Sequence, residues 1–496
     1  MVVPGRGCTA ATSAEHADAV RALVEAGEPS AWPDFAAIKG STVRTVLRGR
    51  GPGDLDLYVK VYRAVRWTDH ARDALRGSRA RVEYDNLSRA RRLGLPAVEP
   101  IAHGASTAVV GNSFLVTRAV DGSPLPRGAW PLATAQAVGH LLRRTHDAGL
   151  AAFDLHAENI VADTGGGLWL VDLTSARFGE SLDLTARARG LAFVALELDG
   201  GPRHAAMAPL LSAYGASSEL RDAAAATWRR LRRQALAAFG RRAGRACRHT
   251  SVAVVRGART FRHRPAAALA DAAVACEPTL AESAAAKSGR RGAVWLLDHL
   301  VAKRRPRAAA RRLFRAGYWL TYAGVPTPMP VALVLRPGYG TAFAERVAGI
   351  DLAKSAAGGK LTAAVAAAAA RALGAAVGRL HAHDLRNRDL KFENLVLEDG
   401  TGRVLMVDLD GVSRRGAGDG RAQAADLGRL LAAFASAGAP GGVRALRAFV
   451  RAYYRARQCL EHRRPALRTQ RFQRRRIVEN ARRRGAPAPS TPSASA

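Results

Sequence analysis

The chain carries the stretch His381-Ala-His-Asp-Leu-Arg-Asn-Arg-Asp389-Leu-Lys-Phe-Glu-Asn394, whose pattern already occurs 235 residues earlier as His146-Asp-Ala-Gly-Leu-Ala-Ala-Phe-Asp154-Leu-His-Ala-Glu-Asn159. In each copy the His precedes the central Asp by eight residues, and the Asn follows that Asp by five. A second acid, Asp172 or Asp408, comes 13 or 14 residues after the Asn, at the end of an apolar run. The repeat predicts two related modules in tandem.

This spacing suits phosphoryl transfer, which needs positioning and charge stabilisation more than covalent work by the protein. Asp154 and Asp389 are the candidates to orient an acceptor hydroxyl and take its proton. The amides of Asn159 and Asn394 and the carboxylates of Asp172 and Asp408 are candidate Mg²⁺ ligands. A hairpin between each Asn and the second Asp would bring the two ligands together.

The first half also contains a candidate nucleotide clamp. Lys60 lies on an alternating strand, Leu57-Tyr-Val-Lys-Val-Tyr62, from which it would reach the nucleotide phosphates. Glu83, on the helix that follows, would pair with this lysine and hold it. Lys39-Gly40-Ser41-Thr42 is the candidate turn over the phosphates.

The second half has the fuller catalytic loop but a less clear clamp. Lys391, two residues after Asp389, is well placed to touch the transferred phosphate. Lys287 is the candidate strand lysine, although the strand around it is poor. Leu313 stands where Glu83 stands in the first half, and the phosphate-covering turn would be Arg256-Gly257-Ala258.

Several stretches resemble the lipopolysaccharide kinase family, the Kdo- and heptose-kinase-like branch of the protein-kinase superfamily. They are Gly94-Leu-Pro96, Gly324-Val-Pro-Thr-Pro328, Arg388-Asp-Leu-Lys-Phe-Glu-Asn394, Val407-Asp-Leu-Asp-Gly-Val412 and Arg421-Ala-Gln-Ala-Ala-Asp426. The resemblance covers residues 36–245 and 250–460. It implies an ATP- and Mg²⁺-dependent kinase, often one that acts on a lipid-linked sugar at the inner membrane face.

The chain departs from the family's pattern in both halves. Ala152 and Phe153 replace His and Arg before the first catalytic Asp, and Thr174 stands where Gly is usual. The second half lacks the helix glutamate. The repeat therefore predicts two kinase folds more firmly than two equal kinases.

The order of predicted elements is sheet, helix, sheet and then a mainly helical part, in both halves. This order indicates an α+β fold of two tandem bilobal protein-kinase-like domains, each with a cleft between its lobes. We expect a lead-in at residues 1–35, domain 1 at 36–245, domain 2 at 250–460, and a basic, Pro/Ser/Ala-rich tail at 461–496.

The composition limits the kinds of partner, metal site and location that can be expected. Lys supplies only seven of the 76 basic residues, which is typical of the Arg-rich composition of a GC-rich genome. The formal net charge of +35 either reflects that bias or indicates attraction to an anionic partner. Four scattered Cys favour neither a zinc site nor a disulfide framework. No signal peptide is visible, so a cytoplasmic protein is expected, with the tail either solvated or peripheral on acidic membrane.

Three functions remain open from sequence. The first is phosphorylation of a lipid-linked glycan or another hydroxyl acceptor, and the second is a Ser/Thr protein kinase. Lys391 favours the protein kinase, while the lack of Ala-Pro-Glu after Asp408 counts against it. The third is one active domain regulated by a pseudokinase partner, with the second half as first suspect. Nucleic-acid binding is disfavoured because no aromatic residues interleave with the basic ones.

Overall fold

The computed structural model describes residues 1–460 except 42, 66, 110, 153–154, 199–204, 281–284, 290–291, 415–419 and 437–441. Asp154 and the basic tail at 461–496 therefore lie outside the described residues. The chain divides into two compact units, Met1–Arg229 and Arg230–Ala496. The sequence-based domain boundaries remain a proposal beside this division.

The first unit begins with a seven-stranded antiparallel sheet in the order β1-β2-β6-β7-β5-β4-β3. Its strands are β1 Val2–Pro4, β2 Cys8–Thr12, β3 Phe35–Gly40, β4 Arg44–Gly51, β5 Leu55–Tyr62, β6 Pro100–Ser106 and β7 Ser113–Arg118. Alternation on β5 places Leu57 and Val59 in the core of the sheet and leaves Lys60 partly exposed.

Residues 1–35, expected to be a lead-in, extend this sheet. Strands β1 and β2 form its edge, and helix α1, Ala17–Glu25, contributes Val20 and Val24 to the same core. The helix predicted to follow the Lys60 strand and to carry Glu83 is two helices, α2 Trp67–Arg76 and α3 Arg79–Arg92. Gly77 separates them with φ +80°, and the Ser78 side chain caps α3 by accepting from the Arg81 N–H.

The rest of the first unit is mainly helical with short strand pairs. Its helices are α4 Leu132–Asp147, α5 Leu184–Glu197, α6 Met207–Tyr214 and α7 Ser218–Arg242, within which the division between the units falls. Its strands are β8 Gly122–Pro124, β9 Leu150–Ala152, β10 Ile160–Asp163, β11 Leu168–Leu170 and β12 Ala176–Phe178. Strands β8, β10 and β11 form one small sheet, and β9 pairs with β12.

The second unit repeats the large sheet with the same strand order, β13-β14-β18-β19-β17-β16-β15. Its strands are β13 Thr250–Val255, β14 Ala258–His263, β15 Lys287–Gly289, β16 Gly292–Leu296, β17 Leu300–Pro306, β18 Pro330–Leu335 and β19 Tyr339–Glu345. Helix α8, Ala267–Cys276, packs on β14 and β18, and α9, Arg307–Tyr322, takes the place that α3 has in the first unit. The identical strand order confirms the expected duplication.

The remainder of the second unit also follows the first. Its strands are β20 Gly349–Asp351, β21 Arg386–Asn387, β22 Leu395–Glu398, β23 Val404–Met406 and β24 Val412–Ser413, and its helices are α10 Leu352–Ala357, α11 Ala363–Ala382, α12 Gly420–Ser436 and α13 Gly442–Leu460. Strands β20, β22 and β23 form one small sheet, and β21 pairs with β24. The expected α+β fold of two tandem, bilobal kinase-like domains is confirmed.

Helix α11 forms the centre of the second unit's helical core. Its Ala-rich face packs closely on α13. The approach requires glycine at two positions, since a Cβ at Gly374 or Gly378 would collide with the backbone oxygen of Phe449 or Tyr453. In the described part of the chain, α11 alone is long and apolar enough to cross a membrane by length and composition, and 56% of its most apolar stretch is buried. Burial of this kind is typical of a core helix in a folded domain.

Candidate active site

The nucleotide clamp expected in the first unit is assembled. The Lys60 Nζ lies 2.5 Å from Oε1 of Glu83, whose side chain is fully buried. The Tyr62 hydroxyl donates to the other carboxylate oxygen of Glu83, and the Thr174 hydroxyl oxygen lies 3.0 Å from that same oxygen. These contacts fix the lysine on the face of β5 that looks toward Asp172, 4.0 Å away.

Asp172 makes contacts through both carboxylate oxygens. The Arg44 guanidinium donates to Oδ2 at 2.7 Å, and the Thr174 hydroxyl donates to Oδ1 at 2.9 Å. Burial alone would raise the pKa of Asp172, but the charges of Lys60 and Arg44 hold this pKa below its ordinary value. Asp172 therefore stays ionised while its charge is already neutralised by the protein.

In both units a hairpin brings the predicted metal ligands together. The Val171 N–H donates to the Asn159 carbonyl at 3.0 Å, and the Val407 N–H donates to the Asn394 carbonyl at 3.1 Å. Each second Asp therefore lies directly after the residue that pairs with its Asn. The sequence spacing of 13 or 14 residues is the length that this hairpin requires.

The surroundings of the first catalytic loop depart from a phosphoryl-transfer site. His156 stands where the second unit has Lys391, and its Nδ1 lies 3.2 Å from Glu197. Beneath the loop, a Cβ at Gly190 would collide with the buried ring of His146. Burial lowers the pKa of His146 to about 4, so this ring is neutral and structural, as its bond to the Tyr214 hydroxyl also indicates.

In the second unit Lys303, not Lys287, occupies the position of Lys60. Strand β17 has the place of β5 in the sheet, and Lys303 pairs there with Val294 as Lys60 pairs with Val46. The Lys303 Nζ lies 3.1 Å from Oδ1 of Asp408.

The expected lysine, Lys287, lies on edge strand β15 and is exposed. It pairs with Val294 as Lys39 pairs with Val46, which makes it the counterpart of Lys39. The expected phosphate-covering turn around Gly257 joins β13 to β14, at the opposite edge of the sheet. The counterpart of the first unit's turn is the connection between β15 and β16.

The absence of an acid on α9 is accompanied by a different ion pair. Arg305 and Asp410 lie two residues after Lys303 and Asp408, at the positions of Tyr62 and Thr174, and they form a pair at 3.1 Å. Leu313 packs instead against the apolar core. Burial would raise the pKa of Asp408, but the Lys303 charge lowers it below its ordinary value.

The catalytic loop of the second unit is tightly ordered. The Asn394 amide nitrogen donates to the Asp389 carbonyl at 2.9 Å and to Asp389 Oδ2 at 3.0 Å. Lys391 Nζ lies 3.6 Å from Asp389 Oδ1. Gly411 is required beside the loop, because a Cβ there would collide with the Asn387 side chain and the Asp389 backbone.

A buried acid braces this loop from below. Asp426 on α12 is fully buried and accepts from the Arg386 guanidinium at 2.8 Å, just upstream of the loop. Its other oxygen lies 3.7 Å from Nε2 of His381, whose Nδ1 lies 3.0 Å from the Tyr453 hydroxyl. By its distance from the second Asp of the motif, Asp426 corresponds to Gly190 in the first unit.

The second unit's groups line one cavity of about 1360 Å³ between its sheet and its helical part. The lining includes Lys287, Lys303, Asp389, Lys391, Asn394 and Asp408. Lys287 therefore borders the same space as the predicted catalytic residues, although it does not hold the position of Lys60. A nucleotide and an acceptor group both fit a cavity of this size.

The two units differ in how well they fit a magnesium ion. In the second unit, both hydrogen bonds that the described residues make to the Asp408 carboxylate fall on Oδ1, and the amide nitrogen of Asn394 is fixed by Asp389. Asp408 Oδ2 and the Asn394 amide oxygen are hard ligands of the kind Mg²⁺ takes. In the first unit a guanidinium already lies on Asp172.

The chain matches the model of the lipopolysaccharide kinase (Kdo/WaaP) family over residues 42–189 and 297–453, which together make more than half of its length. The chain belongs to this family. The two segments fall one in each unit, as expected for two tandem copies. Members of the family are kinases that transfer phosphate to lipopolysaccharide sugars, so this chain is a kinase and ATP is the donor that the family implies. No curated protein gives a significant match.

Proposed function

We propose that the second unit transfers the γ-phosphoryl group of ATP to a sugar hydroxyl of lipopolysaccharide or of another lipid-linked glycan. The observation that carries this proposal is the convergence of Lys303, Asp389, Asn394 and Asp408 on one cavity, with the loop braced by Asp426. Family membership supplies the reaction class and supports the sugar acceptor.

Each residue has a role in an in-line displacement. The Asp389 carboxylate accepts the proton of the acceptor hydroxyl as its oxygen attacks the γ-phosphorus, and the bond from that phosphorus to the β–γ bridging oxygen breaks to release ADP. Lys391 lies beside Asp389 and stabilises charge on the transferred group. Lys303 holds the phosphates of the nucleotide, and Lys287 is a further candidate contact at the mouth of the cavity.

Asn394 and Asp408 would hold a divalent cation, for which Mg²⁺ is the proposal because both ligands are oxygens. When bound, the ion neutralises charge on the phosphates during transfer. The protein's own contribution is to keep both ligands fixed, through the bond from Asn394 to Asp389 and the ion pair of Asp408 with Lys303.

The roles predicted in the first unit remain proposals. Lys60 and Glu83 would hold nucleotide phosphates, Asn159 and Asp172 were predicted as metal ligands, and Asp154 as the catalytic carboxylate. Because Gly190 stands where Asp426 braces the second loop, we propose that the first unit contributes little to turnover. The alternative of one active domain with a regulatory partner domain is therefore favoured. The second half, which the sequence made the first suspect as a pseudokinase, is here proposed as the active one.

The family and the net charge support a proposal for the acceptor and for the location. A net charge of +35 favours an acidic glycolipid or membrane surface as the docking partner. We propose a cytoplasmic enzyme that works peripherally at the inner membrane face, where lipid-linked glycans present their sugars. The basic tail at 461–496 is the candidate membrane contact.

The test incubates the full-length protein with γ-labelled ATP, Mg²⁺ and extracted envelope glycolipids. We expect label in the glycolipid fraction, released by acid as a sugar phosphate, and a loss of about 10³-fold in Asp389→Asn. Asp399→Asn, at the exposed turn between β22 and β23, is the matched control and should retain turnover. Equal labelling by Asp389→Asn and the wild type would overturn the proposal.

A protein acceptor is the second candidate, because Lys391 in Asp-Leu-Lys-x-x-Asn also suits Ser/Thr protein kinases. A parallel reaction with a generic protein acceptor separates the two. Label in the protein without label in the glycolipid would make a protein, not a glycolipid, the acceptor.

A further inference from the structure

We propose that the first unit binds a nucleoside triphosphate without a divalent cation, with the Arg44 guanidinium in the place where a metal ion would bind Asp172. The inference rests on the proposed nucleotide site of this fold and adds a binding mode that the two units do not share.

The phosphate-binding lysine of the first unit is held ready. Lys60 is fixed by Glu83, which is fully buried and also engaged by Tyr62 and Thr174. A buried carboxylate with three partners has little freedom to move, so the ammonium group stays in place, 4.0 Å from Asp172. Such a network is costly unless every member is satisfied, and here Glu83 and Tyr62 are buried while Lys60 and Thr174 remain partly exposed.

The carboxylate that would bind a metal is already used. Arg44 donates to Asp172 Oδ2 at 2.7 Å, and both side chains are partly exposed, at 33% and 22%. A bound magnesium ion would have to displace this guanidinium and separate an established ion pair. Arginine keeps its charge at any physiological pH and presents several N–H groups, so it can contact Asp172 and phosphate oxygens together.

The position of Arg44 in the sheet explains why the two units differ. It lies on β4 two residues before Val46, where β4 begins after β3, and its backbone N–H donates to the Ser41 hydroxyl. The residue two positions before Val294 in the second unit is Gly292, with φ +118°, where a Cβ would collide with the Arg304 carbonyl. The second unit therefore cannot place a side chain at that point, and Asp408 keeps one oxygen for a metal.

The test is calorimetric titration of the full-length protein with ATP, in excess Mg²⁺ and in excess EDTA. We expect about two equivalents of ATP to bind with Mg²⁺ and about one to persist in EDTA. Lys60→Met should remove the binding that persists in EDTA. Absence of any ATP binding by the wild type in EDTA would overturn the inference.

Arg44→Ala should weaken ATP binding in EDTA by about tenfold to a hundredfold, because it removes a charge-assisted contact to phosphate. Arg48→Ala is the matched control, since Arg48 lies on the same strand and pairs with Asp56 at 2.6 Å. Arg44→Lys keeps one charge and should give an intermediate affinity, and thermal melting verifies folding of each variant. Wild-type affinity of Arg44→Ala in EDTA would also overturn the inference.

Failure of the proposed function gives a different pattern. Binding of one ATP in EDTA with no phosphoryl transfer to any acceptor would remove the function of the second unit and leave this inference intact. Transfer of phosphate to glycolipid with no ATP binding in EDTA would overturn this inference and leave the proposed function of the second unit intact.

Discussion

The two units share one fold but differ in which parts of the predicted kinase site they contain. The first has the complete lysine clamp, with Lys60 on Glu83, over a catalytic loop that lacks its brace. The second has the braced loop, with Asp426 beneath it, and a lysine that pairs with Asp408. The comparison teaches that the lysine clamp and the braced loop are separable features of this fold, since each unit keeps one of them without the other.

The difference between the two units is tested most directly by substituting the second Asp of each motif. Asp408→Asn should lower glycolipid phosphorylation by about 10³-fold, because it weakens both the proposed metal site and the contact with Lys303. Asp172→Asn should cost less than about tenfold, since the first unit is proposed to bind nucleotide rather than turn it over. The measurement is kcat/KM of both variants in the labelled-ATP assay.

Asp56→Asn, at an exposed ion pair on β5, is the control for this pair of variants. A larger loss in Asp172→Asn than in Asp408→Asn would reverse the assignment of the active unit.

A second prediction concerns the brace that only the second unit has. Asp426 is fully buried and pairs with both Arg386 and Arg429, so Asp426→Asn removes the charge that both guanidinium groups face and should destabilise the second unit by about 3 kcal/mol. Because Arg386 precedes the catalytic loop, kcat should also fall in the fraction that remains folded. Urea unfolding and single-turnover kinetics measure the two effects.

Asp271→Asn, at an exposed pair with Arg262 in the same unit, should change stability by less than about 0.5 kcal/mol. If Asp426→Asn were as mild as this control, the buried acid would not be a brace.

A third prediction concerns the pH dependence of the first unit's stability. His146 has a pKa of about 4 in the folded protein against 6.5 in the unfolded chain, because burial disfavours its charged form. Between these values the unfolded state binds the proton, so stability falls as pH falls. The loss should reach about 2 kcal/mol at pH 5 and be complete below pH 4.

His146→Gln should flatten this part of the profile for the first unit, as followed by urea unfolding at pH 7.5 and pH 5. An unchanged acid sensitivity in that variant would assign the effect to other buried groups.

The smallest effect is expected for the ion pair that replaces the glutamate network in the second unit. Arg305 and Asp410 are 12% and 38% exposed, so their coupling free energy should stay below about 1 kcal/mol. A double-mutant cycle with Arg305→Met and Asp410→Asn, read by urea unfolding, measures it. A coupling of several kcal/mol would make this pair a structural equivalent of Lys60 and Glu83.

Much of the architecture could be predicted from the sequence because its signals are local. The catalytic loop and the hairpin after it lie within about 20 residues, so the spacing of Asp389, Asn394 and Asp408 reflects their contacts directly. Alternation on β5 identified Lys60 for the same reason. The Gly77 break and the strands in residues 1–35 were missed, because short edge strands carry little periodicity.

Lys303 was missed because its position depends on sheet order rather than on nearby residues. The helix after it has no acid to pair with, so the usual signal of a lysine followed by a glutamate is lost. One observation could have found it: the rarity of Lys in a chain that uses Arg almost everywhere else. Arg44 gave no signal at all, since its partner lies 128 residues away.

The close approach of α11 and α13 has a mechanical consequence. Gly374 and Gly378 set how near the two helix backbones come, and Tyr453 on the far helix reaches His381 at the end of the near one. Adding one methyl group at Gly378 would push the helices apart and loosen the hold on His381, which touches Asp426. Two glycines on a helix outside the cavity lining thus support the position of Asp389, the proposed catalytic residue.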